Sequence, residues 1–232
     1  MTPDGMPLGP IIAAIIVAVC MGWSRFKEWL RQLVTLRSAP GWYGLAPAAP
    51  VLIIFASVLI NYAFGAPLPT AVQLAGWTEL PAAFIGILIY IGIGEEAGWT
   101  AFAAPELLKR HTFVKSWVIL AAVRVLWHLP LMLSGELTWV LGIGGNIAFQ
   151  YLVLWMFTQS RRVWLLAAIW HATLNTVGGQ FFFPMVAGVD QARLGVIMTL
   201  LYIGAAVIVS LLNNRRRGVV SEQLKRAPVK IP

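Results

Sequence analysis

Long apolar runs with few charged residues constrain this chain more than any other feature. Of its 232 residues, 59% are hydrophobic and 11% are charged, whereas a soluble domain carries roughly 25% charged residues. One core could not bury so much apolar surface, and too few polar residues remain to cover it. An α-helix needs about 20 mostly apolar residues to cross a bilayer. The composition therefore predicts an all-α, polytopic transmembrane helical bundle.

The apolar runs predict about seven spans, which form a single membrane-embedded domain over residues 1–232. The spans lie near residues 8–23, 43–64, 80–105, 114–133, 145–158, 163–177 and 194–213. The first run lacks the basic n-region and the small-residue cleavage site of a secretory signal peptide. We therefore interpret it as a span that is retained.

Residues 24–38 predict an amphipathic helix rather than a further span. Their apolar residues fall mainly on one helical face, and their basic residues occupy much of the remaining surface. This pattern is typical of a helix that lies in the membrane interface. An ordinary helix in a cytosolic loop is the alternative.

The basic residues predict the orientation of the chain. The predicted loops of one side hold nearly all of the 17 Lys and Arg residues, whereas the opposite side holds only Arg193. Because Lys and Arg collect in cytoplasmic loops, we predict an integral protein of the cell membrane with its C-terminus and basic tail, residues 214–232, in the cytoplasm. The same rule accounts for the net charge of +8, so we predict membrane lipids and no nucleic acid as partners.

Six of the polar residues inside predicted spans stand out, because an ionised side chain at the bilayer centre costs about 2.5–3.5 kcal/mol on insertion scales. They are, span by span, Glu95 with Glu96, Arg124 with His128, and His171 with Asn175. Residues four apart project from one helical face, whereas adjacent residues diverge by about 100°. One glutamate should therefore face the site and the other a neighbouring helix. We predict that three helices converge on one wet site of a carboxylate, two imidazoles and a carboxamide.

Such a site allows more than one chemistry. Two His and one Glu can hold a catalytic zinc ion with an open fourth position. The same groups can activate water by general-base action while the carboxamide stabilises an oxyanion. The chain has no HExxH motif, so it does not follow the template of the soluble zinc proteases. A purely structural role, in hydrogen bonds between helices, is the remaining alternative.

Three segments, in this order, resemble the motifs of the CPBP family of intramembrane proteases, which includes the CAAX prenyl proteases and the Abi proteins. These segments are "EEAGWTAFAAPEL", "LWHLPL" and "HATLN". The resemblance implies that Glu95 activates the attacking water with help from His128, while His171 and Asn175 support a metal ion or the oxyanion. It leaves open whether a Zn²⁺ ion bound by Glu95, His128 and His171 takes part or a metal-free glutamate mechanism operates. It also implies a peptide or protein substrate, prenylated only by analogy with eukaryotic members.

The chain departs from the family pattern in ways that bear on activity. Thr100 stands where the pattern has an Arg four residues after Glu96, which leaves Glu96 without that partner, and Arg124 stands at an aromatic position of the second motif. We predict that Arg124 replaces the missing Arg and pairs with Glu96 or Glu95. The first predicted span resembles the second span of the family. We therefore expect an N-terminal span of the pattern to be missing here, either because this member is short or because its start codon was assigned downstream. The alternatives to a protease are an immunity or scaffold factor that has lost proteolysis and a small transporter, although no internal repeat of the transporter kind is clear.

Overall fold

The described part of the chain is built from helices alone. The computed structural model describes the backbone of residues 7–226 and the side chains of residues 7–214. Within these ranges there is no β-strand, and the all-α membrane bundle is confirmed. The helices are, in chain order, α1 Gly9–Cys20, α2 Trp23–Leu33, α3 Pro40–Ala63, α4 Ala71–Ala75, α5 Leu80–Ile87, α6 Gly94–Gly98, α7 Ala104–Arg110, α8 Phe113–Trp127, α9 Leu129–Leu133, α10 Asn146–Gln159, α11 Leu165–Thr173 and α12 Gly188–Arg226.

Several helical stretches have the length and composition of membrane spans. Among the described residues, four helices are long and apolar enough to cross a bilayer: Pro40–Ala63, Ala71–Arg110, Leu141–Gln159 and Gly188–Asn214. The first predicted span, α1, is a shorter apolar helix. The number of seven spans stays a prediction. The side chains of most of the predicted tail, from residue 215 onward, lie outside the described residues.

The stretch from Ala71 to Arg110 is one continuous run of helical turns whose pitch varies, and it first tightens into a 3-10 turn at Gly76–Glu79. It widens into π-helical turns at Leu88–Ile93 and again at Trp99–Ala103, and the short helix α6 lies between them. A π-helical turn adds a residue to the helical repeat and so changes the direction in which the following side chains point. Both glutamates of the first motif lie on α6. A further π-helical stretch, Leu174–Phe182, follows α11 and carries Asn175.

Helix α1 packs directly against α6 because two glycines of α6 face it. A Cβ atom placed on Gly94 would lie 2.9 Å from the carbonyl oxygen of Pro7, and one on Gly98 would collide with the carbonyl group of Pro10. Small residues four positions apart allow this close approach of helix backbones in membranes. The first span is therefore seated against the helical turn that carries the glutamate pair.

One side of helix α2 packs against the bundle, and its other side is exposed. Trp29 is 5% exposed, and its indole Nε1 donates a 3.0 Å hydrogen bond to the carbonyl oxygen of Ala97 in α6. Leu30 and Val34 on the other side are 41% and 76% exposed, and they remain available to the membrane interface. The predicted helix over residues 24–38 is too long at its C-terminal end, because residues 35–39 are not helical. They lead into Pro40, and the residue before a proline favours an extended backbone.

The charged loops assigned to one side by their basic residues do lie together. Lys109 of α7 is 3.5 Å from Glu28 of α2, and Arg25 is 4.0 Å from Glu106. Arg193 lies far from them along the bundle, beside the C-terminal end of α3. The contacts therefore agree with the predicted grouping of loops at two ends, while the assignment of one end to the cytoplasm stays a prediction.

The close contact of α1 with α6 can be tested by adding one methyl group. We expect Gly98→Ala to lower the free energy of unfolding by about 1–3 kcal/mol, as overpacking substitutions typically do, because the methyl group meets a backbone carbonyl. Gly86→Ala is the matched control on the same helical stretch, since no atom lies within 4 Å of a Cβ atom placed there. Thermal unfolding of the purified protein in detergent gives both values. Equal stability of the two variants would show that α1 is not seated at Gly98.

Candidate active site

Glu96 is the centre of a buried hydrogen-bonded network. Its side chain is fully buried, and Oε1 accepts hydrogen bonds from Arg124 Nη2 at 2.7 Å and from His171 Nδ1 at 3.1 Å. The hydroxyl group of Thr100, one turn along, donates to Oε2. Thr100 supplies no charge in place of the Arg of the family pattern, but its hydroxyl group gives Glu96 a hydrogen bond from the same helical stretch. Three elements, α6, α8 and α11, are tied together at this one carboxylate.

Arg124 is a fully buried cation whose position is set from several sides. Nε donates a 2.7 Å hydrogen bond to Gln150 Oε1 on α10, and Nη2 bonds Glu96. The guanidinium carbon lies 4.9 Å from the ring centroid of Phe149 and 5.8 Å from that of Trp99, which are cation–π distances. A buried charge is tolerated only when it is paired and hydrogen-bonded. The predicted ion pair between Arg124 and Glu96 is confirmed.

One carboxylate oxygen of Glu95 accepts a hydrogen bond, and the other accepts none from the described residues. Trp127 Nε1 donates a 3.3 Å hydrogen bond to Oε1, and Oε2 lies 3.6 Å from Arg124 Nη1. Oε2 is buried and has no hydrogen-bond partner among the described residues. The two adjacent glutamates therefore differ in the way expected for neighbours on a helix, since Glu96 is fully engaged and Glu95 has an oxygen available.

The two histidines are each fixed through Nδ1. His128, at the C-terminal end of α8, has Nδ1 2.8 Å from the carbonyl oxygen of Arg124. A carbonyl oxygen and a carboxylate can only accept a hydrogen bond, so Nδ1 carries the hydrogen in both His128 and His171. In a neutral ring, Nε2 is then the unprotonated nitrogen. His171 is 5% exposed and packs edge-on against the ring of Phe149.

The structure joins some of the predicted site residues and not others. Glu95, Glu96, Arg124 and His171 form one contiguous network of side chains. His128 touches this network through the backbone of Arg124. Asn175 is half-buried, and it makes no hydrogen bond with the other described residues.

Sequence reasoning missed two kinds of residue at the site. Gln150 is 1% exposed in the apolar helix α10, and the rule that singled out the other intramembrane polar residues would have found it. Trp99, Trp127 and Phe149 enclose the charged groups, but aromatic residues occur throughout the apolar spans, so no sequence signal distinguished these three.

The predicted zinc site does not match the arrangement of these side chains. Among the described residues, no group of three or more His, Cys, Asp or Glu side chains is placed to hold a metal ion. Both histidines hold Nδ1 in a hydrogen bond and leave Nε2 free, as metal-binding histidines do. The guanidinium of Arg124, however, stands between the two carboxylates, and it would repel a dication placed beside it. For this reason the carboxylates do not fit a zinc ion in this arrangement.

Residues 77–177 match a family model described as type II CAAX prenyl endopeptidase Rce1-like. The resemblance to the CAAX protease family is confirmed. All six predicted site residues lie within the matched segment. The match supports a protease, and together with the apolar helices it indicates an integral membrane protein. No curated protein matches the chain.

The coupling between Glu96 and Arg124 can be measured by a double-mutant cycle with Glu96→Gln and Arg124→Gln. Removing one partner of a buried pair typically costs about 3–5 kcal/mol because the other charge is left uncompensated. We therefore expect each single variant to be strongly destabilised and the double variant to lose much less than the sum, with a coupling of about 1–3 kcal/mol.

The exposed pair Arg25–Glu28 is the control for this cycle, because water screens it and only weak coupling is expected. Unfolding in detergent at fixed lipid content gives all the values. Strictly additive losses at Glu96 and Arg124 would contradict the role assigned to this pair.

Proposed function

We propose that this protein is an intramembrane endopeptidase in which Glu95 is the base that activates water. The observation that carries the proposal is the free Oε2 atom of Glu95. A buried carboxylate oxygen without a hydrogen-bond partner is rare in a native protein and needs an explanation. Here it lies in a segment that matches a family of endopeptidases. Water bound to Oε2 is its natural partner.

The chemistry follows from which atoms are free. Glu95 Oε2 accepts a proton from the water, whose oxygen attacks the carbonyl carbon of the peptide, while the π electrons of the C=O bond move onto the carbonyl oxygen. His128 Nε2 accepts the second hydrogen of the water in a hydrogen bond, because Nδ1 is held by a backbone carbonyl. The tetrahedral intermediate then collapses, the C–N bond breaks, and the leaving amine takes the proton from Glu95. Acid–base assistance of this kind contributes about 10²–10⁴-fold to a rate.

His171 and Asn175 have supporting roles in this proposal. The carboxamide of Asn175 is uncommitted among the described side chains, so it can donate to the substrate or to the oxyanion. His171 donates through Nδ1 to Glu96, and Nε2 donates to substrate only when the ring is protonated. Glu96 itself serves by holding Arg124 and His171 in place.

The substrate class is proposed from the family and from the membrane setting. The matched family model is described as a CAAX prenyl endopeptidase. A peptide with a prenylated cysteine near its C-terminus is therefore the first candidate substrate. Its prenyl chain would lie among the lipids, and its peptide portion would enter the site. We also propose that the site is reached from the cytoplasmic side of the cell membrane, where the basic loops are predicted to lie.

The proposal is tested by Glu95→Gln, which removes the base but keeps the shape of the side chain. We expect cleavage to fall by about 10²–10⁴-fold, the usual contribution of a general base. Wild type and variant are incubated in phospholipid vesicles with a farnesylated peptide and with its unprenylated copy, and products are identified by mass spectrometry. Each reaction is run with added zinc and with a chelator.

Glu106→Gln is the matched control, because Glu106 pairs with Lys109 outside the network. Cleavage by Glu106→Gln at the wild-type rate, with loss in Glu95→Gln, supports the proposal. Equal cleavage by wild type and Glu95→Gln would contradict it and favour a non-catalytic role. Loss of activity with the chelator alone would restore the zinc mechanism.

A further inference from the structure

Three neighbouring side chains of the network each carry a buried polar atom without a hydrogen-bond partner. Among the described side chains, these atoms are Glu95 Oε2, Arg124 Nη1 and Trp99 Nε1. The first is an acceptor and the other two are donors. The function proposed above uses only the acceptor, so the two donors need an explanation of their own.

The hydrogen bonds of Arg124 fix the direction in which its remaining nitrogen, Nη1, points. Nε is committed to Gln150 and Nη2 to Glu96, both at 2.7 Å, and the guanidinium group is planar and rigid. Nη1 is left 3.6 Å from Glu95 Oε2, which is longer than a normal hydrogen bond between these atoms. The neighbouring carboxylate therefore does not satisfy this nitrogen.

Trp99 brings a second N–H group to the same region. Its ring lies 5.8 Å from the guanidinium carbon of Arg124 and packs edge-on against Trp127 at 6.4 Å. Trp127 in turn holds the other oxygen of Glu95. The indole N–H of Trp99 is buried without a partner although an indole normally finds one.

Hydrolysis of a peptide bond needs an acceptor for the attacking water and a donor for the carbonyl oxygen. An acceptor and a cationic donor that lie side by side match these two needs. Water bound at about 2.8 Å from Glu95 Oε2 would have a carbonyl carbon at about 3 Å in an attack geometry. The carbonyl oxygen would then lie within hydrogen-bond reach, about 2.9 Å, of a donor placed beside that carboxylate. Arg124 Nη1 is such a donor, and its charge is permanent.

We propose that Arg124 Nη1, with Trp99 Nε1 beside it, stabilises the oxyanion that forms on the scissile carbonyl. As the water oxygen bonds to the carbonyl carbon and Glu95 takes the proton, the electron pair of the C=O π bond becomes a negative charge on oxygen. The N–H groups of Arg124 and Trp99 donate to that oxygen and hold it until the C–N bond breaks. This inference rests on the proposed function and adds to it the donors that polarise the substrate.

The first test is kinetic. Arg124→Lys retains a positive charge for Glu96 but has one nitrogen instead of three, so it loses the Nη1 donor together with the bond to Gln150. Trp99→Phe retains an aromatic ring but loses the N–H. Removal of one oxyanion donor typically lowers kcat by about 10²–10³-fold. We expect a fall of about that size in kcat for Arg124→Lys and a smaller fall for Trp99→Phe, with KM changed little. Trp117→Phe is the control, since its indole bonds the carbonyl of Ile147 elsewhere.

The second test measures binding and needs no turnover. A peptidyl phosphonate carries the tetrahedral, anionic shape of the intermediate, whereas the product peptide does not. We expect Arg124→Lys and Trp99→Phe to weaken phosphonate binding far more than product binding, because only the charged tetrahedral group reaches the donors. A purely structural role of these residues would weaken both ligands equally, and that result would overturn the inference.

The outcomes separate this inference from the function on which it rests. Unchanged cleavage in Glu95→Gln contradicts the proposed function. Loss of cleavage in Glu95→Gln, with wild-type kcat and phosphonate binding in Arg124→Lys and Trp99→Phe, contradicts only the oxyanion role. If Arg124→Lys does not fold, Trp99→Phe decides: selective loss of phosphonate binding supports the inference, and unchanged binding overturns it.

Discussion

The buried ion pair between Glu96 and Arg124 is the interaction on which the centre of this bundle depends. Two charged groups without solvent exposure would each cost several kcal/mol if left alone in an apolar interior. Paired at 2.7 Å and joined by Gln150, His171 and Thr100, they form a hydrogen-bonded network that leaves only Nη1 of Arg124 without a partner among the described residues. The same contacts join α6, α8, α10 and α11. The pair therefore fixes the relative positions of the helices that carry the proposed chemistry.

The surrounding fold holds the glutamate-bearing turn from two further directions. Gly94 and Gly98 let α1 approach α6 at backbone distance, and Trp29 of α2 donates to the carbonyl of Ala97, directly after Glu96. The π-helical turns on both sides of α6 set the direction in which the carboxylates point. Buried packing of this kind limits the motion of a side chain, which is what a preorganised site requires.

The cation that pairs with the buried glutamates comes from a neighbouring helix in this chain. In the family pattern an Arg stands on the same helix as the glutamate pair, whereas here Thr100 occupies that position and the cation comes from Arg124 on α8. A guanidinium from a neighbouring helix reaches both carboxylates, at 2.7 Å to Glu96 and 3.6 Å to Glu95. This placement of Arg124 is the basis of the oxyanion role proposed above.

Sequence alone determined the class of fold, the grouping of the charged loops and the four charged or titratable residues Glu95, Glu96, Arg124 and His171 that form the network, because hydropathy and intramembrane charge are local properties of the chain. It also predicted the pairing of Arg124, since two complementary departures from one pattern point to each other. Only the tertiary structure decided that Glu96 is saturated while Glu95 keeps a free oxygen, because adjacent residues on a helix differ only in what packs against them. The same holds for Gln150 and Trp99 and for the burial of Trp29 against α6, since a helical pattern gives the direction of a side chain but not the neighbour it meets.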